Sequence, residues 1–205
     1  MDLRWLEWAQ KIQAIAQNGL TYTEGVFDRE RYKSLQVIAA EILATYSNVE
    51  PSYVLDLFSQ EVGYATPKVA VRSAVFCDDS LLFVRERSDG CWTVPGGWVD
   101  VGESPSEAIV REIYEESGYE TRAIKLLGVY DNRKHGYPPS RHQSYKLFIL
   151  CELLGGSPSQ NIEIDQVGFF RENEIPELSL PRVTPTQISR LFEHYRHPDW
   201  PTDFD

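Results

Sequence analysis

Apolar residues recur at every third or fourth position in the first third of the chain, which is the period of an amphipathic helix. The first such face consists of Trp5, Trp8, Ile12 and Ile15. This helix is expected to stop at Asn18-Gly19, a second follows over residues 35–46, and a third runs from Pro51 to Gly63. Residues 1–63 therefore predict a small helical domain, whose core needs further packing on the rest of the chain or on a second subunit.

From residue 67 onward, short apolar runs are separated by turn residues, a pattern typical of strands. These runs cover residues 68–76, 81–87, 122–130, 144–153 and 166–170. Helical periodicity returns over residues 105–117 and 184–196. We expect one α/β domain over residues 67–205. Its polar loop, residues 131–143, has the length and composition of a functional loop.

The acidic composition narrows the classes of function. The 205 residues carry a formal net charge of −11, which disfavours a protein that coats nucleic acid through its phosphates. The three cysteines include no CxxC pair, so neither a disulfide framework nor a zinc site is expected. No apolar run approaches the ~20 residues of a membrane span, and the first residues lack the pattern of a signal peptide. We therefore expect a cytoplasmic protein with no membrane partner.

The predicted helix over residues 105–117 has clear boundary signals. Ser104 and Glu107 fit a capping box with Pro105 at the first helical position, and Gly118 fits the residue after the last turn. The apolar residues on one side of this helix are expected to be buried: Ile109, Val110, Ile113 and Tyr114. These boundaries determine which of the remaining residues share a face.

Three glutamates, Glu112, Glu115 and Glu116, lie on another side of this helix, within about 100° of each other. Like charges at this spacing repel by about 0.2–0.5 kcal/mol per pair, so the clustering calls for a compensating interaction. Ala108, one turn earlier, is expected to leave space above the carboxylates. Oxygen ligands that face such a space suit Mg²⁺, whereas the alternative is a solvated acidic surface.

The segment from Gly97 to Tyr119 resembles the Nudix box, G-x5-E-x7-R-E-U-x-E-E-x-G-U. The fixed positions are matched by Gly97, Glu103, Arg111, Glu112, Glu115, Glu116 and Gly118. Tyr119 departs from the pattern at the last aliphatic position. The layout, with a helical region first, is similar to that of bacterial ADP-ribose and CDP-choline pyrophosphatases. This resemblance implies an α/β/α Nudix sandwich with a mixed sheet, and a hydrolase that uses Mg²⁺ or Mn²⁺.

The resemblance also implies roles for individual residues. The metal ligands would be Glu112, Glu115, Glu116 and the backbone carbonyl of Gly96. Arg111 and Glu103 would form a pair that holds the loop against the helix. The general base would be either Glu116 or Glu163, and Asp165 lies two residues further along the same segment.

Substrate contacts are expected from basic and aromatic side chains. The polar loop contributes Arg133, Lys134, His135, Arg141 and His142. Arg85 and Arg87, at the end of a predicted strand, are further candidates for phosphate contact. Three aromatic residues could stack on a base or hold a quaternary ammonium group through a cation–π contact: Trp92, Trp98 and Tyr137. The alternative for each of these residues is a solvated loop or a packing role.

The resulting hypothesis is a hydrolase of the P–O–P bond in a nucleoside diphosphate linked to a second group X. Its partner is expected to be a small-molecule nucleotide rather than nucleic acid, and the helical region predicts a homodimer. A nucleoside triphosphate or an RNA 5′ end is the alternative substrate. A second alternative is a nucleotide-sensing module without catalysis, which the intact box disfavours.

Overall fold

The computed structural model describes residues 4–47, 49–140 and 142–205. The chain forms two compact units. The first comprises the residues up to Pro67 together with Pro139–His142, and the second comprises Lys68–Pro138 and Gln143–Asp205. No helix within the described ranges combines the length and the apolar character that a membrane crossing requires.

The first unit is helical. Its helices are α1 (Arg4–Tyr22), α2 (Val26–Ser47) and α3 (Pro51–Ser59). Their shared core is small and is formed by Ala9, Ala40, Leu43 and Val54. Trp5 packs at its margin and stacks on Tyr46, with ring centroids 4.7 Å apart.

The prediction that the first helix stops at Asn18-Gly19 is wrong. The helix continues to Tyr22, and Thr23 N still donates to Gly19 O at 2.9 Å. A Cβ atom at Gly19 would lie 2.3 Å from the ring of Tyr32, so the glycine provides room for close packing of α1 on α2. Tertiary contact therefore outweighs the local tendency of this dipeptide to end a helix.

The third helix ends at Ser59 and does not reach Gly63. Gly63 lies beyond the helix with φ +85°, and its carbonyl accepts a 3.0 Å hydrogen bond from Gln17 Nε2 of α1. The glycine thus serves the turn that returns the chain to the first helix.

The second unit contains a seven-stranded sheet within the described residues. Its strands are β1 (Lys68–Cys77), β2 (Ser80–Glu86), β3 (Trp92–Thr93), β4 (Tyr119–Asp131), β5 (Ser144–Gly156), β6 (Ile164–Phe170) and β7 (Asp203–Phe204). The spatial order is β3-β2-β1-β5-β4-β7, and β6 also pairs with β2. Because β1–β5 and β4–β7 are parallel and the other pairs are antiparallel, the sheet is mixed.

Two helices, α4 (Pro105–Ser117) and α5 (Pro185–Arg196), cover opposite faces of this sheet. Successive side chains of β1 point to opposite faces of the sheet. Val71 and Val75 pack on the side of α4, whereas Ala74 packs on the side of α5. The largest fully buried side chains on the α5 side are Phe83 and Phe148. The predicted α/β/α sandwich with a preceding helical region is therefore confirmed.

The strand β7 carries a partly buried ion-pair network that connects α5 to the sheet. Asp203 accepts hydrogen bonds from Arg190 Nε and Nη2 at 2.5 and 2.8 Å, and from the Tyr130 hydroxyl at 2.9 Å. His194 Nε2 lies 3.1 Å from the same carboxylate. Arg190 is the largest cause that holds the pKa of Asp203 well below its usual range. A strand of two residues has no periodicity, so the sequence pattern does not predict it.

We expect Asp203→Asn to lower the free energy of unfolding at pH 7 by about 2 kcal/mol, because several buried partners lose a charged acceptor. The matched variant Glu193→Gln removes the more exposed partner of Arg190 and should cost less than ~0.5 kcal/mol. Chemical denaturation measures both variants. Equal effects of the two changes would contradict the central place of Asp203.

The pH dependence of this difference has a definite sign. A depressed carboxyl pKa contributes stability that is complete above the unfolded-state pKa of about 4 and is lost as the pH falls below it. The stability difference between wild type and Asp203→Asn should therefore shrink below pH ~4.

Candidate active site

The loop between β3 and α4 runs along the edge of β1. Val71 N donates to Gly97 O at 2.9 Å, and Ser73 N donates to Pro95 O at 2.9 Å. Val99 N returns a hydrogen bond to Val69 O at 3.1 Å. These backbone contacts fix the loop in front of the N-terminal half of β1, before the chain enters α4.

The start of α4 follows the predicted capping box. Ser104 Oγ accepts from Glu107 N at 3.3 Å, and Glu107 Oε2 accepts from Ser104 N at 2.9 Å. At the other end Gly118 has φ +78°, and its N–H donates to Tyr114 O. Both ends of the acidic helix are thus set by residues adjacent to it in sequence.

Two consecutive glycines allow the loop to approach the helix closely. Gly96 has φ +145°, and a Cβ atom there would lie 2.1 Å from Val71 O. A Cβ atom at Gly97 would lie 2.5 Å from Glu112 Oε1. A larger residue at either position would therefore displace the loop or the carboxylate.

Glu116 is buried below this loop, with 7% of its surface exposed. Its Oε2 accepts a 2.9 Å hydrogen bond from Gly96 N. Burial raises the pKa of Glu116 to about 8, although Arg72 and the Gly96 amide favour the ionised form. Burial also raises the pKa of Glu112, against the attraction of Arg111. Both carboxylates are held where a nearby cation would stabilise their charge.

Arg111 binds the acidic residues on either side of it. Its Nε and Nη2 donate to the two oxygens of Glu103 at 2.7 and 2.8 Å, which is the pair that the resemblance implies. Its Nη1 donates to Glu112 Oε1 and to Glu115 Oε2, both at 3.0 Å. The like charges of the helix are therefore partly neutralised by an internal guanidinium.

The donor set suits a hard divalent cation, but the carboxylates are not gathered around one point. Among residues 4–47, 49–140 and 142–205, no three His, Cys, Asp or Glu side chains are arranged to hold a metal ion. Glu112 and Glu115 are instead directed to Arg111. The raised pKa of the buried Glu116 and the space kept by Gly97 fit a cation, which would require these side chains to turn from Arg111.

Two expectations about the faces of α4 are wrong. Ala108 is fully buried in the apolar cluster with Val71, so it faces the sheet and does not leave space above the carboxylates. Tyr114, expected to be buried, is 58% exposed. The helical period gives the angles between side chains around the helix axis. It does not determine which face of the helix packs against the sheet.

The segment that contains Glu163 is attached to the end of α4. Asn161 Nδ2 donates to Glu115 O at 2.7 Å, and Ser159 N donates to Ser117 O at 3.0 Å. Glu163 O accepts from Arg87 N at 2.8 Å. The charge of Glu163 also contributes to the raised pKa of Glu86. Glu163 therefore belongs to a segment that is anchored to the acidic helix.

The two strand-end arginines already have protein partners. Arg85 Nε and Nη2 donate to the two oxygens of Asp165 at 2.8 and 2.6 Å. This pairing lowers the pKa of Asp165 and keeps that carboxylate beside Arg85. Arg87 Nε donates to Asn161 O at 3.2 Å. Phosphate contact by either arginine would thus compete with a contact inside the protein.

Two cations of the polar loop are already paired with carboxylates. Arg133 donates to both oxygens of Asp131, and His135 Nε2 lies 2.8 Å from Asp205 Oδ1. Lys134 is exposed, and His142 belongs to the helical unit. Arg141 lies outside the described residues.

The three candidate aromatic residues have different environments. Trp92 packs edge-on against Phe170, with centroids 4.9 Å apart, beside the core on the α5 side. Trp98 is 54% exposed, and its backbone forms an isolated antiparallel β-bridge with Ala70. Tyr137 covers Lys146, whose Nζ lies 3.6 Å from the ring centroid. Packing therefore accounts for Trp92, whereas Trp98 remains accessible.

Sequence reasoning missed three buried ionisable residues on β1, β2 and β5. Arg72 Nη1 donates to Gly96 O at 2.5 Å and to Val94 O at 3.3 Å. Glu86 forms a 2.7 Å ion pair with Arg182, and burial raises the pKa of Glu86. Lys146 is buried on β5. A single charge inside an apolar strand, as in "KVAVRSAVF" and "SYKLFIL", is the signal that could have revealed Arg72 and Lys146.

The arrangement of loop and acidic helix agrees with comparisons to known proteins. Residues 66–192 match the family model described as "NUDIX domain". The chain is a Nudix hydrolase. Residues 3–58 match a second model, described as "UDP-X-like, N-terminal oligomerisation domain". The Nudix match covers α4 and all strands from β1 to β6.

Two relatives of this Nudix hydrolase carry similar names. "Putative ADP-ribose pyrophosphatase YjhB" from Bacillus subtilis (strain 168) is 47% identical over 205 residues, which cover 100% of this chain and 99% of that protein. "ADP-ribose pyrophosphatase" from Methanocaldococcus jannaschii is 34% identical over 119 residues, or 57% of this chain and 69% of that protein.

Solved structures give the same family. A crystal structure of a UDP-X diphosphatase is 33% identical with a TM-score of 0.65, and the match covers 98% of both chains. An ADP-ribose pyrophosphatase from Streptococcus suis is 38% identical with a TM-score of 0.63, and the match covers 68% of this chain and 100% of that one. The first of these matches extends the likeness to the helical region.

We expect Arg111→Gln to lower the free energy of unfolding by about 1–3 kcal/mol, because Glu103, Glu112 and Glu115 lose a shared cation. The matched variant Arg122→Gln removes an exposed pair with Glu152 and should cost less than ~0.5 kcal/mol. Urea denaturation at low and high salt measures both variants. A loss at Arg111 no larger than that at Arg122 would contradict the role of Arg111 as the shared partner.

Proposed function

We propose that this Nudix hydrolase cleaves the P–O–P bond of a nucleoside diphosphate linked to a second group, with ADP-ribose as the first substrate to test. The products would be a nucleoside monophosphate and the phosphorylated second group. The observation that carries the proposal is the buried Glu116 held below Gly96 beside Glu112. The full-length relative from Bacillus subtilis supports the choice of ADP-ribose through its name.

The proposed cofactor is Mg²⁺, with Mn²⁺ as the alternative. Glu112, Glu115, Glu116 and the carbonyl of Gly96 would hold it, since hard cations prefer oxygen ligands. A bound divalent ion would offset the charge of the diphosphate and lower the pKa of the attacking water. Arg72 now donates to the Gly96 carbonyl, so a metal ion bound by this carbonyl would share it with that guanidinium or displace it.

The remaining residues have proposed roles in positioning and proton transfer. Arg111 and Glu103 keep the loop and α4 in register through their two parallel hydrogen bonds. Glu116 and Glu163 are the two candidate bases that would accept a proton from the attacking water. The contacts of Asn161 and Ser159 with α4 support Glu163, because they hold its segment against the acidic helix.

A substrate that contains uridine is the second candidate. The model that matches residues 3–58 is described as UDP-X-like, and the structural neighbour over 98% of the chain is a UDP-X diphosphatase. CDP-choline is also tested, because Trp98 lies within the box, is exposed, and could contact a cationic head group.

The homodimer is also a proposal, and the surface of α1 supports it. Trp8, Ile15 and Tyr22 recur every seven residues and are 56%, 57% and 70% exposed. Such a spacing places apolar side chains along one line of a helix, as in helices that pair with a partner. The description of the matching model as an oligomerisation domain supports the same inference.

We expect wild type to release AMP from ADP-ribose with Mg²⁺, and Glu116→Gln to reduce turnover by about 100-fold or more, because a ligand and proton acceptor is lost. Folding should be preserved, since a neutral amide suits a buried site whose carboxyl pKa is already raised. Product mass and turnover are measured with Mg²⁺ and separately with Mn²⁺. Glu120→Gln, an exposed change on β4, is the control and should keep wild-type turnover.

Turnover by Glu116→Gln equal to that of wild type would refute the assigned role of Glu116. If UDP-linked sugars or CDP-choline are cleaved faster than ADP-ribose, they become the proposed substrate in its place. If only ATP or 5′-triphosphate RNA is cleaved, the proposal of a nucleoside diphosphate substrate is wrong. Saturable nucleotide binding without hydrolysis would favour a sensor.

We expect Ile15→Glu to convert the dimer to a monomer, because a charge in the apolar line of α1 opposes pairing. Sedimentation equilibrium measures the mass. Ile124→Glu introduces the same charge at an exposed isoleucine of β4 and should leave the dimer intact. A wild-type monomer, or a dimer that survives Ile15→Glu, would argue against this surface.

A further inference from the structure

Two buried cations lie side by side on the α5 face of the sheet. Arg72 on β1 and Lys146 on β5 are 7% and 5% exposed. Ala70 is directly opposite Lys146 in the parallel register, and Arg72 is two residues further along the same face. The two side chains are therefore diagonal neighbours on adjacent strands.

Neither side chain forms a direct ion pair with a carboxylate in the part of the chain that the structure describes, although Glu116 and Glu86 favour the charged form of Arg72 from a longer distance. Lys146 Nζ donates to Pro181 O and Arg182 O, both at 2.8 Å. Arg72 donates to backbone carbonyls of the loop before α4. Nearby Arg182 adds a third positive charge, although it is paired with Glu86 and Asp89.

Two buried donors near these cations lack an acceptor among the described residues: Arg72 Nε and Gln187 Nε2. Tyr137 connects Gln187 to Lys146. Its ring lies over the ammonium group, and its hydroxyl donates to Gln187 Oε1 at 2.5 Å. The cluster thus has more donors than acceptors, which is the composition of a site for an anion.

The energetic cost of this arrangement argues for a function. A buried basic side chain without an ion-pair partner costs free energy whether it stays charged or gives up its proton, and an apolar side chain of similar size would avoid that cost. Burial, together with the charges of Arg72 and Arg182, lowers the pKa of Lys146 to about 6, a shift that an entering anion would oppose. Such perturbation is typical of functional sites.

The cluster is also continuous with the candidate active site. Arg72 contacts the carbonyl of Gly96, and its charge favours the ionised form of Glu116. Arg72 therefore lies between Lys146 and the residues that would face the diphosphate in the proposed function.

We propose that Arg72 and Lys146, together with the amide group of Gln187, form an anion subsite that binds phosphoryl oxygens of the diphosphate substrate. This inference rests on the proposed function and adds the groups that neutralise the substrate beside Glu116. Tyr137 covers the ammonium group of Lys146 and is the side chain that an entering anion would displace.

The test compares Lys146→Met with Lys125→Met. Lys125 also donates to two backbone carbonyls, Pro198 O and Trp200 O, both at 2.6 Å, but it lies on β4 with no role in the site. Binding of inorganic pyrophosphate is measured by calorimetry with a chelator present, so that no metal contributes. We expect Lys146→Met to weaken this binding by about tenfold or more, and Lys125→Met to leave it unchanged.

Thermal denaturation and kinetics separate binding from structure. For Lys146→Met we expect an unchanged or higher melting temperature, a KM for ADP-ribose raised by about tenfold or more, and a kcat within about threefold of wild type. If Lys146 has only a structural role, both variants should have a lower melting temperature and an unchanged affinity for pyrophosphate. That result would overturn the proposal. Failure of wild type to bind pyrophosphate would also overturn it.

The outcomes distinguish the subsite from the proposed function. Pyrophosphate binding that depends on Lys146, in a protein that cleaves no diphosphate, would retain the subsite and reject the function. Cleavage of ADP-ribose with an unchanged KM in Lys146→Met would retain the function and reject the subsite.

Discussion

The buried carboxylate of Glu116 is the constraint around which the neighbouring polar groups are arranged. Its charge is unfavourable in an interior, so burial without compensation would keep it protonated. The Gly96 amide donates to it and the guanidinium of Arg72 attracts it. Both contacts need the loop to lie close to α4 and β1, which is why residues with side chains would not fit at Gly96 and Gly97. The acidic helix, the glycine loop and the charged strand thus depend on one another.

The helix α4 could be predicted in detail because its determinants are local. The capping box, the terminal glycine and the spacing of Glu103 from Arg111 all lie within one short segment. Partners of Arg85 and Asp203 could not be predicted, since each pair joins residues that are distant in sequence or lie in a strand of two residues. Such contacts depend on strand register, which no local pattern specifies.

Small residues explain most of the wrong expectations. Gly19 has the sequence context of a helix end, and Ala108 has the size of a gap in a metal site. In the structure each permits close packing, against Tyr32 and against the sheet. From the sequence alone, a small residue that leaves an open space cannot be distinguished from one that allows close packing. The helix or strand packed against it determines which of the two occurs.

The parallel pairing of β1 with β5 also has a consequence for biosynthesis. Lys68 pairs with Ser144, so β1 emerges from the ribosome several seconds before its partner at about 5–20 residues per second. The core of α1, α2 and α3 needs only residues that are already synthesised by then. Contacts among these helices can therefore form while the valine-rich edge of β1 is still unpaired, and that interval is when the nascent chain is most exposed to wrong strand pairing.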